Sequence, residues 1–124
     1  MSATVIIADD DADIRELIAI AVQRSGLTLL ASVSDGAAAL AAIREHRPDL
    51  AILDIAMPEL TGVEVCRAVR ADPESGDVRI LLLSASVDET AQSVGREAGA
   101  DHFIAKPFSP RVLTEWLSLG KEAR

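Results

Sequence analysis

The hydrophobic residues of this chain alternate between two patterns. Short, wholly apolar runs occupy residues 5–8, 50–53 and 80–83. Such runs are typical of strands that are covered on both faces in a parallel sheet. Residues 27–33 and 103–105 are weaker strand candidates of the same kind. The pattern therefore predicts five strands.

Between the strands, apolar residues recur at the three- and four-residue spacing of one helix face. Four helices are predicted in this way, and their apolar positions are Ile14, Leu17, Ile18, Ala21 and Val22; Val65, Cys66 and Val69; Val87, Ala91, Val94 and Ala98; and Val112, Leu113, Trp116 and Leu117. An Ala-rich segment over 37–46 predicts the fifth helix. Five βα units predict an α/β fold with a central parallel sheet and helices on both faces, formed by residues 1–124 as one domain.

Composition excludes several classes of function. The chain has 12 Lys and Arg against 20 Asp and Glu, a net charge of −8, which repels nucleic acid and anionic membranes. Its one cysteine, Cys66, cannot form an internal disulfide. No apolar run approaches the ~20 residues of a membrane span, and the N-terminus lacks the features of a secretion signal. We therefore predict a cytoplasmic protein.

Polar side chains follow four of the predicted strands at the point where each strand ends. Asp9 and Asp10 follow the first strand, Asp54 the third, Ser84 the fourth and Lys106 the fifth. Ligands of open α/β sheets bind outside the carboxyl ends of the strands. These side chains are therefore expected to converge on one edge of the sheet.

The converging residues fit the chemistry of phosphoryl transfer. Asp9, Asp10 and Asp54 would repel one another unless a cation lay between them, and carboxylates with retained waters suit Mg²⁺. A carboxylate can also act as the nucleophile and become an aspartyl phosphate. Lys106 would then neutralise phosphoryl oxygens, and the Ser84 hydroxyl would donate a hydrogen bond to one of them.

In these residues the chain resembles the response-regulator receivers of two-component signalling. The resemblance covers essentially the whole chain, and its motifs are Asp9-Asp10, Asp54-Ile55-Ala56-Met57-Pro58 leading to Gly62, Ser84-Ala85 and Lys106-Pro107-Phe108. It implies a flavodoxin-like (βα)5 three-layer sandwich with strand order 2-1-3-4-5. It also implies a signalling domain with at most self-phosphorylation and self-dephosphorylation activity.

The resemblance assigns roles to the site residues. Asp54 is the phosphoacceptor, and Ser84 and Lys106 contact the phosphoryl group. Mg²⁺, with Mn²⁺ as a substitute, is held by Asp9, Asp10, Asp54 and the backbone carbonyl of Ala56. The phosphoryl group comes from a histidine kinase or a histidine phosphotransfer protein.

The resemblance further implies a switch that reaches a downstream output domain or protein. Ser84 and the aromatic residue Phe103 couple phosphorylation to the surface of helix 4, strand 5 and helix 5. This same surface is expected to support a weak homodimer if the chain is not a monomer. We hypothesise that the Phe103 ring turns inward on phosphorylation, although simple core packing explains the residue as well. The Lys106-Pro107 peptide bond is predicted to be cis.

The residues present disfavour three other functions. An aspartyl phosphatase would need an acid at position 56, which holds Ala56. A flavin-binding module would need a hydroxyl- or Gly-rich phosphate loop after the first strand, where this chain has carboxylates. A receiver-like interaction module that never takes phosphate would be expected to have lost Asp54, Lys106 or the acid pair. All of these residues are present, so the phosphoacceptor hypothesis is preferred.

The remaining charged residues are interpreted structurally. Asp11 is expected to cap the first helix, and Asp13 to interact favourably with the positive end of the same helix. Arg67, Arg70 and Arg79 are expected to be solvated surface charges. None of these residues is assigned to the site.

Overall fold

Strands and helices alternate in the computed structural model, which describes residues 3–75, 77–85 and 88–122. The strands are β1 (Thr4–Ala8), β2 (Thr28–Val33), β3 (Leu50–Asp54), β4 (Arg79–Ser84) and β5 (His102–Ala105). The helices are α1 (Ala12–Arg24), α2 (Gly36–His46), α3 (Gly62–Ala71), α4 (Glu89–Ala98) and α5 (Pro110–Glu122). The strands end within one residue of their predicted bounds. Val87, which was predicted in the fourth helix, lies outside the described residues.

The strands form one parallel sheet in the order β2-β1-β3-β4-β5. This confirms the predicted flavodoxin-like order. Successive residues of a strand point to opposite faces, so Ile6 packs with α2, α3 and α4 whereas Ile7 packs with α1 and α5. The fold is therefore a three-layer sandwich.

The topology creates a crevice at the carboxyl ends of β1 and β3. After β1 the chain crosses to β2 on one side, and β3 then lies on the other side of β1. The connections to α1 and α3 consequently leave the sheet edge in opposite directions, which opens a space between them. Asp9 and Asp54, at the ends of these two strands, border this crevice.

Side chains fix the first turn of each helix that follows the crevice. Oδ1 of Asp11 accepts hydrogen bonds from the amides of Asp13 and Ile14 at 2.9 and 3.3 Å. Thr61 and Glu64 form a reciprocal capping box at the start of α3, with bonds of 2.9 and 3.1 Å. These bonds satisfy amides that have no partner within the helix. The predicted cap at Asp11 is confirmed.

Three residues assigned to buried helix faces are exposed instead. Leu17 in α1 and Val94 in α4 are each 38% exposed, and Val112 in α5 is 50% exposed. In α4 the buried residues are Gly95 and Ala98. Side chains at neighbouring helix positions point about 100° apart, and glycine contributes no hydropathy signal. The hydrophobic pattern therefore predicted the helix α4 correctly but assigned Val94, instead of Gly95, to its buried face. No helix in the described ranges is long and apolar enough to cross a membrane.

The interpretation of the three arginines as solvated charges is correct for Arg67 and wrong for Arg70. Arg67 is exposed. Arg70 donates from Nε to the carbonyl of Gly99 at 2.9 Å and from Nη2 to Oδ2 of Asp101 at 3.0 Å. Its Nη1 donates to the carbonyl of Val78. Arg70 therefore connects α3 to the starts of β4 and β5.

Arg79 is also more than a solvated charge. Its guanidinium carbon lies 5.9 Å from the centre of the Trp116 ring, within the range of a cation–π contact. The His102 ring meets the same indole edge to face, with the ring centres 5.1 Å apart. These contacts attach α5 to the start of β4 and to the edge strand β5.

Candidate functional site

The residues at the carboxyl edge of the sheet meet as predicted. Nζ of Lys106 lies 2.9 Å from Oδ2 of Asp9 and 3.2 Å from Oδ2 of Asp54. Asp9 is 0% and Asp54 is 4% exposed. One ammonium group is thus shared by two buried carboxylates from different strands.

Asp9 is held in position through its backbone as well as its side chain. Its amide donates to the carbonyl of Val33 in β2 at 3.1 Å. Its Oδ1 accepts from the amide of Asp11 at 2.9 Å, and its backbone carbonyl accepts from Nη1 of Arg15 at 2.8 Å. Contacts from β2, α1 and Lys106 therefore fix the direction of this carboxylate.

Asp54 ends β3 and continues into a closely packed turn. Its Oδ1 accepts a 3.4 Å bond from the amide of Ala56. Where the chain returns to begin α3, Gly62 passes so close that a Cβ atom there would lie 2.6 Å from the carbonyl oxygen of Asp54. Only glycine allows this approach, which explains the Gly62 that follows the Asp54 motif.

Burial dominates the electrostatics of Asp54. Loss of hydration raises the pKa of the Asp54 carboxyl above its ordinary value, and the neighbouring charge of Asp9 raises it further. The charge of Lys106 and the hydrogen bonds from Lys106 and Ala56 act in the opposite direction without cancelling the effect. A cation close to the two carboxylates would therefore stabilise the ionised form.

The same environment favours the charged form of Lys106. Burial alone would lower the pKa of Lys106, but its hydrogen bonds to Asp9 and Asp54 and the charges of both carboxylates raise the pKa above the ordinary value. The Lys106 amide also donates to the carbonyl of Ser84 at 2.8 Å. The bond to Pro107 is cis, as predicted. Lys106 is therefore a fixed positive charge at this edge.

The acidic side chains also fit a metal ion. Carboxylate oxygens of Asp9, Asp10 and Asp54 all lie within 4.8 Å of one another. Asp9 and Asp54 are buried, whereas Asp10 is exposed. Carboxylates with an open side suit a hard divalent cation that keeps part of its water shell. The sequence had placed these three residues together, and the structure does so.

The two residues assigned to the switch lie on neighbouring strands. Ser84 ends β4, is 7% exposed and pairs with Ala105 of β5. Phe103, paired with Leu82, is partly buried against the core on the α4 side. The structure therefore places Ser84 at the site edge and Phe103 below it, facing α4.

Two features near the site were missed by sequence reasoning. One is the Arg15 bond to the Asp9 carbonyl, which depends on how α1 leaves β1. The other is an apolar surface groove of about 470 Å³ beside Lys106, lined by Asp11, Ile14, Leu17, Ala85, Lys106, Pro107 and Phe108. The excess of apolar residues on α1, where Leu17 and Ile20 are both exposed, is the signal that could have indicated it.

The comparison with protein families decides the identity of this arrangement. The family described as the response regulator receiver domain matches residues 5–118. The chain belongs to this family. Its place in two-component phosphorelay signalling follows from this membership, as does its character as a signalling domain.

Known relatives and solved structures agree with that assignment. The receiver domain is 42% identical over 113 residues to the DNA-binding response regulator MtrA of Mycolicibacterium paratuberculosis, covering 91% of the chain and 48% of MtrA. It is 40% identical over 110 residues to the phosphate regulon regulator PhoB of Pseudomonas aeruginosa, covering 89% of the chain and 48% of PhoB. The chain therefore spans about half the length of these relatives.

A solved chemotaxis response regulator has the same fold. CheY4 of Vibrio cholerae matches with a TM-score of 0.89 and 31% sequence identity, covering 96% of this chain and 98% of CheY4. The predicted likeness to the receiver family and to its fold is thus confirmed.

Proposed function

We propose that this receiver domain accepts a phosphoryl group on Asp54 from a phosphohistidine protein. The observation that supports the proposal is the arrangement around Asp54. Its buried carboxylate lies 3.2 Å from the Lys106 ammonium and within 4.8 Å of the Asp9 and Asp10 carboxylates. A nucleophile, a fixed cation and a set of metal ligands therefore share one crevice.

Each residue of the site has its own role in the phosphoryl transfer. An Asp54 oxygen attacks the phosphorus of the donor, and the phosphorus–nitrogen bond to the donor histidine breaks as the new phosphorus–oxygen bond forms. Lys106 and the hydroxyl of Ser84 then contact phosphoryl oxygens. Mg²⁺, or Mn²⁺ in its place, supplies further positive charge when it is bound by Asp9, Asp10, Asp54 and the carbonyl of Ala56. In the same crevice the domain would phosphorylate itself on Asp54 from small phosphodonors. It would also hydrolyse its own aspartyl phosphate with water.

The apolar groove beside the site supports a protein as the donor. It reaches from Leu17 to Phe108 and includes Lys106, so a partner that covers it also covers the entrance to Asp54. Apolar surface next to a charged crevice is typical of a protein-binding site. We assign this groove to the histidine kinase or phosphotransfer protein, which implies a cytoplasmic location for the domain.

A second surface, formed by α4, β5 and α5, is assigned to the output. Ser84 and Phe103 lie on adjacent strands, and Phe103 faces α4. Phosphorylation would change the contacts of Ser84 and thereby the position of Phe103, altering the surface of α4, β5 and α5 for a downstream domain or protein. The DNA-binding function named for MtrA would, in this view, belong to such a partner or output domain.

The test uses small phosphodonors and intact mass. The protein is incubated with phosphoramidate, which contains the same type of bond as phosphohistidine, and with acetyl phosphate, each with and without Mg²⁺. We expect the intact mass to increase by one phosphoryl group, and only when Mg²⁺ is present. Asp54→Ala should abolish it, whereas Asp13→Asn, which changes an exposed acid on the first turn of α1, should not.

Two other outcomes would contradict the proposal. Phosphorylation of the Asp54→Ala protein would place the acceptor elsewhere. No phosphorylation with either donor, combined with no transfer from a panel of phosphorylated histidine proteins, would favour a receiver-like interaction module that works without phosphate.

A further inference from the structure

Gly95 occupies an unexpected position in α4. It lies within the helix and is buried, where alanine would form a more stable helix because glycine loses more backbone entropy on folding. Its φ angle is not in the left-handed region, since the positive-φ glycines of the described chain are Gly26 and Gly99. Backbone conformation therefore does not require glycine at this position.

The ring of Phe103 supplies the reason. A Cβ atom on Gly95 would lie 2.2 Å from Cζ and 2.5 Å from Cε1 of Phe103. The next nearest atom, Cδ1 of Leu82, would be 3.3 Å away. The ring thus packs directly on the backbone of α4, and any side chain at position 95 would have to displace it.

This contact matters to α4 because the helix has little other apolar surface against the sheet. Its buried residues are Gly95 and Ala98, and its largest aliphatic residue, Val94, is exposed. Phe103 is a large apolar side chain that packs against this side of the core. The position of the ring and the position of α4 are therefore physically linked.

We propose that Gly95 is a positioning residue. Because it has no side chain, it leaves room for the Phe103 ring to pack against α4 in the resting state, and this contact opposes the phosphorylated state. The proposal rests on the function proposed above, in which Phe103 responds to phosphorylation of Asp54. Movement of the ring away from α4 breaks the contact with Gly95. A side chain at position 95 would remove the resting arrangement and favour the other one, since any change that destabilises one of two states shifts the population to the other.

The first arm of the test measures stability in a mutant cycle. Gly95→Ala is made in the wild-type protein and in Phe103→Leu and Phe103→Ala backgrounds, and urea midpoints are compared. Gly95→Ala is expected to lower the midpoint in the wild type and to raise it where the ring is absent, because only the helix preference then remains. Ser93→Ala, on the exposed side of the same helix, should have the same effect in every background.

The second arm measures the affinity for beryllofluoride with Mg²⁺, a mimic of the phosphorylated state. Gly95→Ala should tighten binding by about fivefold or more in the wild type and have no effect in the Phe103→Leu protein. A purely structural role of Gly95 would change the urea midpoint but leave this affinity unchanged.

The outcomes separate the inference from the function on which it rests. If Gly95→Ala shifts the midpoint equally in all backgrounds, the contact does not constrain the ring and the inference is wrong. Gly95→Ala could lower the urea midpoint in the wild type and raise it in the Phe103 variants, yet leave the beryllofluoride affinity unchanged. The contact would then exist without opposing phosphorylation, and the inference would again be wrong. If the wild type fails to bind beryllofluoride, the proposed function fails, while the urea cycle still reports on the contact.

Discussion

Nζ of Lys106, just after β5, lies 2.9 Å from Oδ2 of Asp9, at the end of β1. The two residues are far apart in the sequence and meet across β3 and β4. Asp54 at the end of β3 also contacts the ammonium at 3.2 Å. One cation therefore offsets two buried carboxylates, and the crevice keeps an excess of negative charge.

Replacing Lys106 by methionine should destabilise the domain when divalent cations are absent. The substitution keeps most of the unbranched side chain but leaves Asp9 and Asp54 without their cation. Breaking a buried ion pair costs roughly 3–5 kcal/mol, and partial solvent access of Lys106, 21% exposed, reduces this to about 2 kcal/mol. Urea unfolding in a chelator should show this loss, and saturating Mg²⁺ should stabilise the variant more than the wild type.

Arg111→Met provides the control for that measurement. The Arg111 ion pair with Glu115 is exposed at both ends, and such pairs contribute about 0–1 kcal/mol. Equal stabilities of the Lys106→Met and Arg111→Met proteins would show that the shared ammonium has no special role.

Asp54→Asn should stabilise the metal-free domain at neutral pH. Burial raises the pKa of Asp54 on folding, so folding disfavours its ionised form. The contribution of Asp54 to stability is therefore fully present below its unfolded pKa of about 4 and is lost as the pH rises through the folded pKa. The free energy of unfolding of the variant should exceed that of the wild type at pH 7, and the difference should disappear in acid.

Asp72→Asn should show the opposite sign in the same experiment. The amide of Glu74, which donates to Oδ1 of Asp72 at 2.9 Å, lowers the pKa of that carboxyl. A lowered pKa gives stability that is present above the ordinary value and lost as the pH falls through the folded value. Asp72→Asn should therefore lower the free energy of unfolding at neutral pH.

The Asp54 prediction has its own contradicting outcome. If the wild type were more stable than Asp54→Asn at pH 7, the electrostatic description of the crevice would be wrong.

The sequence was sufficient to predict the strands and the convergence of Asp9, Asp54 and Lys106. Buried parallel strands are wholly apolar, and their carboxyl ends meet at one edge, so local pattern and topology rules determine both. The position of Ser84 follows from the same rules, whereas its switch role and the cis bond before Pro107 came from the resemblance to the receiver family. A resemblance of sequence motifs supplies such features without any knowledge of side-chain packing.

Other features depend on how the helices pack and could not be read from the pattern. Val94 and Gly95 are neighbours, and only the packing of α4 against Phe103 decides which of them is buried. Arg70 has the charge of a surface residue, yet its partners lie in two other segments, just before β4 and just before β5. Arg15 reaches Asp9 only because α1 starts at a particular angle. In each case tertiary contacts override local hydropathy.

Arg70→Met should cost about 2–3 kcal/mol of stability. The variant keeps the aliphatic stem but leaves the carbonyls of Gly99 and Val78 and the carboxylate of Asp101 without their donor. Part-buried acceptors that lose a charged donor are penalised by about this amount. Arg67→Met, an exposed position on the same helix, should stay within about 0.5 kcal/mol of the wild type. Thermal and urea unfolding would measure both, and equal effects would contradict the bonding described for Arg70.

Glu59→Gly should raise stability without changing the site. Glu59 is exposed in the turn between β3 and α3 and has a φ angle of 70°, in the left-handed region. A non-glycine residue there costs roughly 1–2 kcal/mol. Glycine removes that strain but gains entropy in the unfolded chain, so a net increase of about 0.5–1 kcal/mol in the free energy of unfolding is expected. Glu59→Ala removes the same charge and keeps the strain, so it should give no increase. If both variants are equally stabilised, the gain comes from removing a negative charge near the acidic crevice rather than from relaxing the backbone.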